Sequence, residues 1–382
     1  MMAERVPIDT YCEKKIPTLQ KTYDGLIDYV DISSVDNTEK KIISYQTIES
    51  NDAPSRAKQL LKKGDVLVST VRPNLNAVAV VEEETENLMV GSTGYCVLRC
   101  KDNMDVRYLF NFCQSQYFVD DMSSQATGAS YPAVSNGIVR SALIPCYSIE
   151  EQREIAEKMD TVSELLALCK QQLAELDELI KSRFIELFGD PETNPKGLEK
   201  VLLSDIAEYF NGLTYSPDNV TNEGTIVLRS SNIQNSQLDF ADTVRVNSSI
   251  KDKLFVKDND ILMCSRNGSA RLVGKVALIK NLSEPMTFGA FMMIIRSRYY
   301  PYLMTYFQMD AFRRQIATGA TTTINQITGN MLNKISLPLP NMADINEFAT
   351  FVEQTDKSKL ALQQSLEKLE TLKKSLMQKY FG

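Results

Sequence analysis

Apolar residues recur at alternating steps of four and three through residues 146–190. The series is Ile155, Met159, Val162, Leu166, Cys169, Leu173, Leu176, Ile180 and Leu187, with Arg183 in the one polar slot. That spacing is a heptad seam and predicts one long helix. Residues 341–382 repeat it with Phe348, Val352, Thr355, Leu362, Leu366, Leu369, Leu376 and Tyr380, weakened by Lys359 and Lys373. Each run ends in Phe-Gly, and glycine suits the left-handed position that closes a helix. Between the first run and the next region lies Gly189-Asp-Pro191-Glu-Thr-Asn-Pro195-Lys-Gly197, a breaker-rich linker. Two seams in one chain are expected to bury each other as an antiparallel coiled coil, holding a globular region at either end.

Upstream of each seam the pattern shortens to β-branched runs bounded by Gly, Asn and Pro, which predict strands. They are Asp65 to Ser69, Ala77 to Val81 and Tyr95 to Leu98, then Asp260 to Cys264, Val276 to Ile279 and Phe291 to Ile295. Arg107 to Met122 and Pro301 to Ile316 carry aromatic residues and leucines at helical spacing, read as core-facing helices. A polar stretch follows in each half, Ser123 to Gly137 and Thr318 to Asn330, and then a short run ending in proline.

The two halves are copies. Leu366, Leu369, Leu372, Lys374, Ser375, Phe381 and Gly382 repeat Leu173, Leu176, Leu179, Lys181, Ser182, Phe188 and Gly189 at an offset of 193. Asp65 and Gly94 repeat as Asp260 and Gly289 at 195, and Ala126 to Ala129 as Ala317 to Ala320 at 191. Drifting offsets are what short loop insertions leave in a duplicated domain. The period is far too long for a solenoid unit. The fold class expected is α+β: two similar mixed domains and a pair of long helices, with a pseudo-twofold internal repeat. The boundaries are 1–145 and 191–340 for the domains, and 146–190 and 341–382 for the helices.

Composition narrows the chemistry. The 382 residues are 43% hydrophobic and 24% charged, as in ordinary globular proteins. No signal-peptide core or membrane-length apolar window is present, so a cytoplasmic protein without membrane contact is expected. Seven cysteines form no C-x-x-C pair and read as reduced core thiols. Histidine is absent, which removes His-dependent triads, His-ligated metals and imidazole acid–base chemistry. No phosphate-binding loop or dinucleotide fingerprint occurs. Neither catalytic nor metal-ligating residues are assigned, and no cofactor is expected on this chain.

The net charge of −7 argues against nucleic acid until the chain is divided. Residues 146–190 hold 5 basic and 11 acidic side chains, whereas 191–340 hold 16 and 13. The second domain is mildly basic, a faint version of the usual footprint. The loops say more. After one paired strand come Arg72, Asn74 and Asn76, and after its counterpart Arg266, Asn267 and Arg271. The polar stretches add Thr127, Ser130, Tyr131, Ser135 and Asn136, then Thr318, Thr321, Thr322, Thr323, Asn325 and Gln326. Arginine reads guanine edges, Asn and Gln read adenine, and Ser or Thr bonds bases or phosphate. Such residues also populate ordinary surface turns. Their recurrence at the same two stations in both copies favours DNA contact.

With this layout the chain resembles, over essentially its full length, the specificity subunits of Type I restriction–modification systems. The motifs are GDVLVST (64–70) and NDILMCS (259–265), TGA at 127–129 and 318–320, and IPCYSIEEQREIA (144–156). LPLPNMADINEFA (337–349) keeps the prolines of that last motif but not its Glu-Gln pair. The resemblance implies a non-catalytic reader of double-stranded DNA. Two target recognition domains would each bind half of a bipartite, asymmetric site, with the helices fixing the spacing. Two methyltransferase subunits would dock on it and carry S-adenosylmethionine, and restriction subunits would add ATP- and Mg2+-dependent cleavage. The rival readings are a coiled-coil adaptor without DNA binding and a self-contained methyltransferase–restriction enzyme. The second lacks a [DNS]-P-P-[YFW] motif.

Overall fold

The structure, a computed structural model, describes residues 4–317 and 326–382. The chain divides into two compact units, Met1–Gln171 with Gln363–Gly382, and Gln172–Leu362. The division falls inside both long helices, Ile149–Phe188 and Met342–Phe381. Each unit therefore combines a β-rich region with a portion of both helices.

In the first unit Val66–Ser69 lies between Tyr95–Leu98 and Val78–Val80 in an antiparallel sheet. A mixed sheet runs Gln46–Glu49, Leu26–Val30, Leu88–Ser92, Ala57–Leu60, its middle pair parallel. Arg5–Pro7 pairs with Leu143–Pro145. The second unit repeats these pairings except that of Ala57–Leu60 with Leu88–Ser92, which has no counterpart among its described strands. Ile261–Cys264 lies between Met292–Arg296 and Val276–Leu278, Thr225–Leu228 runs parallel to Met286–Phe288, and Lys200–Leu202 pairs with Ser336–Pro338. The six strands read from the sequence are all present.

The strand-entry motifs owe their residues to a shared lock. Gly64 and Asn259 have φ of +86° and +70°, a region open mainly to glycine and, less often, asparagine. The following aspartate is buried in each case. Asp65 accepts from the Lys62 amide at 2.9 Å and from Arg99 Nε and Nη2 at 2.8 and 2.7 Å. Asp260 accepts from the Lys257 amide at 2.8 Å and from Arg296 Nε and Nη2 at 2.7 and 2.6 Å.

Each aromatic segment forms two helices. Val106–Cys113 gives way to Gln116–Gln125, because Ser115 Oγ accepts the Phe118 amide and starts a new helix. Tyr300–Tyr306 gives way to Asp310–Ala317. Both segments face the core, as their spacing requires. Tyr108 donates to Pro145 O at 2.9 Å and Tyr302 to Pro338 O at 2.6 Å, which ties helix to strand identically in both units.

The Glu-Gln pair and its loss also have a structural account. Glu151 forms a capping box with Ser148, each side chain meeting the other's backbone amide. Gln152 is buried, accepts from the Asp105 amide and donates to Asn103 O and Tyr147 O. In the second unit Asn341 and Asp344 make the cap, and the buried Ile345 stands where Gln152 would. The backbone donor left over, the Tyr299 amide, is taken by Ser297 Oγ at 3.0 Å.

Every seam position on both helices is buried or half-buried, including Leu173, Leu176, Ile180, Leu187, Val352, Leu362, Leu366, Leu369 and Leu376. Within the second unit Phe184 packs on Phe348, Arg183 bonds Glu347 at 2.5 Å, and Lys359 bonds Asp177 at 2.6 Å. These contacts run in opposite senses along the two helices. The polar slots are thereby satisfied: Arg183 and Lys359 act as seam ion pairs, not flaws. Lys373 is different, half-buried with no hydrogen bond or ion pair among the described residues, and burial and Lys170 push its pKa down.

The Phe-Gly ends pack into β-rich regions. Phe381 meets Tyr108 and Phe112 in the first unit, and Phe188 meets Tyr302 and Phe348 in the second. Gly189 has φ of +78°, and a Cβ there would sit 2.9 Å from the Pro195 ring. Of the cysteines, Cys12, Cys96, Cys113 and Cys264 are buried, as core thiols should be. Cys146 is exposed, a departure from that expectation, with its sulfur 3.0 Å from the Tyr11 hydroxyl.

Candidate nucleic-acid interface

In both units the loop leaving the central strand is zipped to the later polar stretch. In the first, the Val134 amide donates to Thr70 O, Ala133 bridges both Val71 and Thr127, and the Arg72 amide donates to Pro132 O at 2.7 Å. In the second, the Ile327 amide donates to Ser265 O at 2.7 Å and Gln326 bridges Arg266. The two stations named from the sequence are thus one surface per unit, joined through backbone bonds.

Arg72 is exposed with φ of +50°, and its guanidinium lies 5.0 Å from the ring of Tyr131, itself 69% exposed. Thr127, Ser130, Ser135, Asn136 and Asn74 are exposed around it. Gly128, the central residue of the TGA motif, has φ of +106°, and a Cβ would stand 2.9 Å from Tyr131 O. The glycine allows the loop to fold under the tyrosine.

Two first-unit candidates are committed to structure. Asn76 also has positive φ, its Nδ2 donates to Cys113 O at 2.8 Å, and Lys40 Nζ donates to its Oδ1 at 2.9 Å and its carbonyl at 2.5 Å. It anchors the turn and has little left to offer a base. Ser135 caps the helix Asn136–Ser141 by accepting the Ile138 amide. Lys40 was not legible as a site residue. Burial and the neighbouring Lys373 pull its pKa down to about 8, against a smaller opposing pull from Asp36.

In the second unit Arg266 is exposed, and its Nε and Nη2 donate to Gln326 Oε1 at 3.2 and 2.5 Å. A hydrogen-bonded guanidinium is aimed before any ligand arrives. Asn267 is occupied: its Oδ1 accepts the Ser269 amide and its Nδ2 donates to Ser230 Oγ. Arg271 is exposed on the single turn Ala270–Leu272 and has no hydrogen-bond or ion-pair partner among the described residues. Thr318, Thr321, Thr322, Thr323 and Asn325 lie outside the described residues.

One residue the sequence reading passed over stands beside Arg266. Phe291 is 58% exposed, and its ring centroid is 5.8 Å from the guanidinium carbon. The signal was a slip in the repeat: Gly94 and Gly289 are 195 apart, whereas the lock arginines Arg99 and Arg296 are 197 apart. At the arginines' offset the counterpart of Gly94 is Phe291, not Gly289, and the structure agrees: the Ser265 amide donates to Phe291 O as the Thr70 amide donates to Gly94 O. No group of three or more His, Cys, Asp or Glu side chains suited to a metal occurs among the described residues, and none of their helices is long and apolar enough to cross a membrane.

Each unit thus presents an arginine-bearing loop joined by backbone bonds to the polar stretch that follows its aromatic helices. A family model for the Type I restriction modification DNA specificity domain matches residues 8–178 and again 195–374. The chain belongs to that family of DNA-recognition specificity subunits. It is 24% identical over 312 residues to the Type I restriction enzyme EcoKI specificity subunit of Escherichia coli K12, covering 75% of this chain and 67% of that one. The chain thus spans about two thirds of the length of the curated relatives it matches.

Two solved structures share the fold. One comes from work on complex assembly and conformational transition of the type I R-M system, with 23% identity, TM-score 0.60, and coverage of 100% of this chain and 97% of that one. The other is the Type-I restriction-modification system S subunit from M. genitalium, with 14% identity, TM-score 0.59, and coverage of 99% and 96%.

Proposed function

We propose that this chain reads a bipartite, asymmetric DNA target, one half-site per unit, as the non-catalytic specificity subunit of a Type I restriction–modification enzyme. The observation that carries the reading is the repeated, zipped loop surface, with Arg72 beside Tyr131 in one unit and Arg266 beside Gln326 and Phe291 in the other. The surfaces share a backbone frame but differ in side chains, which is what an asymmetric site requires. Affinity for the duplex would come from phosphate contacts by exposed basic residues, and discrimination from the arginine forks.

The long helices act as a coiled-coil spacer in this reading, supported by their unbroken seams and opposed ion pairs. Methyltransferase subunits dock on their outer faces. Leu372 in the first unit and its repeat equivalent Leu179 in the second are both large exposed leucines, which favours two equivalent docking faces. S-adenosylmethionine belongs to those subunits, and ATP and Mg2+ to restriction subunits. The setting for all of this is the cytoplasm.

The test is methylome sequencing of cells that express the chain with its methyltransferase partner. The expected result is one two-part motif whose second half changes when residues 191–340 are exchanged for those of a relative. A motif indifferent to that exchange, or methyl transfer by the purified chain alone, overturns the reading.

A further inference from the structure

We propose that Phe291 is a specificity-determining residue of the second unit and reads the 5-methyl group of a thymine in that unit's half-site. The inference rests on the DNA-reading function above. Phe291 is fastened to the reading loop: its carbonyl accepts from the Ser265 and Arg266 amides at 2.9 and 3.0 Å. Its ring therefore keeps station with the Arg266 guanidinium, which Gln326 aims from the other side.

The ring has no packing duty to explain it. The flanking Met292 is 1% exposed and Phe288 likewise, whereas Phe291 leaves 58% of its surface in water. In the first unit the same place in the turn is held by Gly94, whose carbonyl accepts the Thr70 amide as Phe291 O accepts that of Ser265, so the ring is an addition to a shared backbone frame. The first unit instead sets an exposed aromatic against its arginine from a different loop, Tyr131 against Arg72. An arginine flanked by an exposed ring thus arises twice by separate routes, which fits a functional demand better than an accident of one loop.

The chemistry selects the ligand group. A phenyl ring offers no donor or acceptor, so it cannot tell base edges apart by hydrogen bonds. The apolar feature on the major-groove edge is the thymine methyl, and apolar side chains are its readers. Beside it, the arginine fork suits guanine O6 and N7.

The full chain in complex with its methyltransferase subunits is assayed on duplexes carrying its methylome-defined target. Each thymine of the half-site read by residues 191–340 is replaced in turn by deoxyuridine, which lacks only the methyl. At one position the replacement should weaken wild-type binding about four-fold, the worth of one buried methyl group. Phe291→Ala should bind both duplexes equally, Phe291→Leu should keep part of the preference, and the other half-site should be unaffected.

Uniform weakening by Phe291→Ala overturns the proposal, as does indifference to every deoxyuridine. A 2-aminopurine signal of unstacking that wild type induces and Phe291→Ala does not would also overturn it, since the ring would then be a wedge between base pairs. If the wild-type complex ignores the sequence of that half-site altogether, the DNA-reading function of the unit fails first.

Discussion

Arg99 grips Asp65 through two parallel hydrogen bonds of 2.8 and 2.7 Å at the entry to the first unit's central strand. The Asp65 side chain is fully buried and that of Arg99 is 12% exposed, so the carboxylate depends on this partner. Arg99→Ala should cost about 3–5 kcal/mol in chemical denaturation, because it strands a buried charge. Asp65→Asn combined with Arg99→Leu should cost less than Arg99→Ala alone. Equal losses would show that the pair's geometry, not the stranded charge, dominates.

Phe381 closes the first unit's aromatic core, with its ring 5.3 Å from Tyr108 and 5.8 Å from Phe112. Phe381→Ala should destabilise that unit by about 3–5 kcal/mol. Hydrogen exchange should quicken in residues 106–125 while the core around Tyr302 keeps its protection. Phe188→Ala should give the mirror result.

Lys40 provides a pH signature. Its folded pKa of about 8 lies below the ordinary 10.5, so between those values the unfolded chain holds a proton that the folded chain has lost. Stability from this group therefore rises as pH climbs from 8 toward 10.5, while the burden of the buried charge is fully present below pH 8. The difference in unfolding free energy between wild type and Lys40→Met should carry that slope. A flat difference across the window would mean the lysine is not desolvated as described.

The arginines of the second unit should divide by role. Arg266, oriented by Gln326, is the proposed reader, and Arg266→Ala should cost about 1–3 kcal/mol and relax one position of its half-site. Arg271, on an exposed turn, suits a phosphate contact. Its alanine variant should weaken all sequences alike and lower the salt slope by about one. Binding titrations at several salt concentrations on matched and mismatched duplexes separate the two.

The spacing role proposed for the long helices can be tested by lengthening them. Seven residues inserted after Leu173 and seven after Leu366 keep the heptad register and lengthen each helix by roughly 10 Å. Methylome sequencing should then return the same half-sites with a spacer longer by about three base pairs. An unchanged spacer in an active variant would show that these helices do not set the distance.

The sequence by itself determined the duplication, the central strands, the seams and the pair of loop stations. All of these are periodic or local signals, written in which residues alternate or recur. It also determined the absence of histidine-based chemistry. Tertiary structure decided which candidate residues are available. Asn76 and Asn267 carry the right functional groups, but backbone and side-chain partners distant in sequence, Cys113, Lys40 and Ser230, use them up. The seam lysine Lys359 looked like a flaw until Asp177, 182 residues away, answered it. Phe291 carried no polar group to draw notice, and its role depends on standing beside Arg266. A side chain's chemistry is legible from its letter, but its remaining bonding capacity depends on which neighbours the fold brings within about 3 Å.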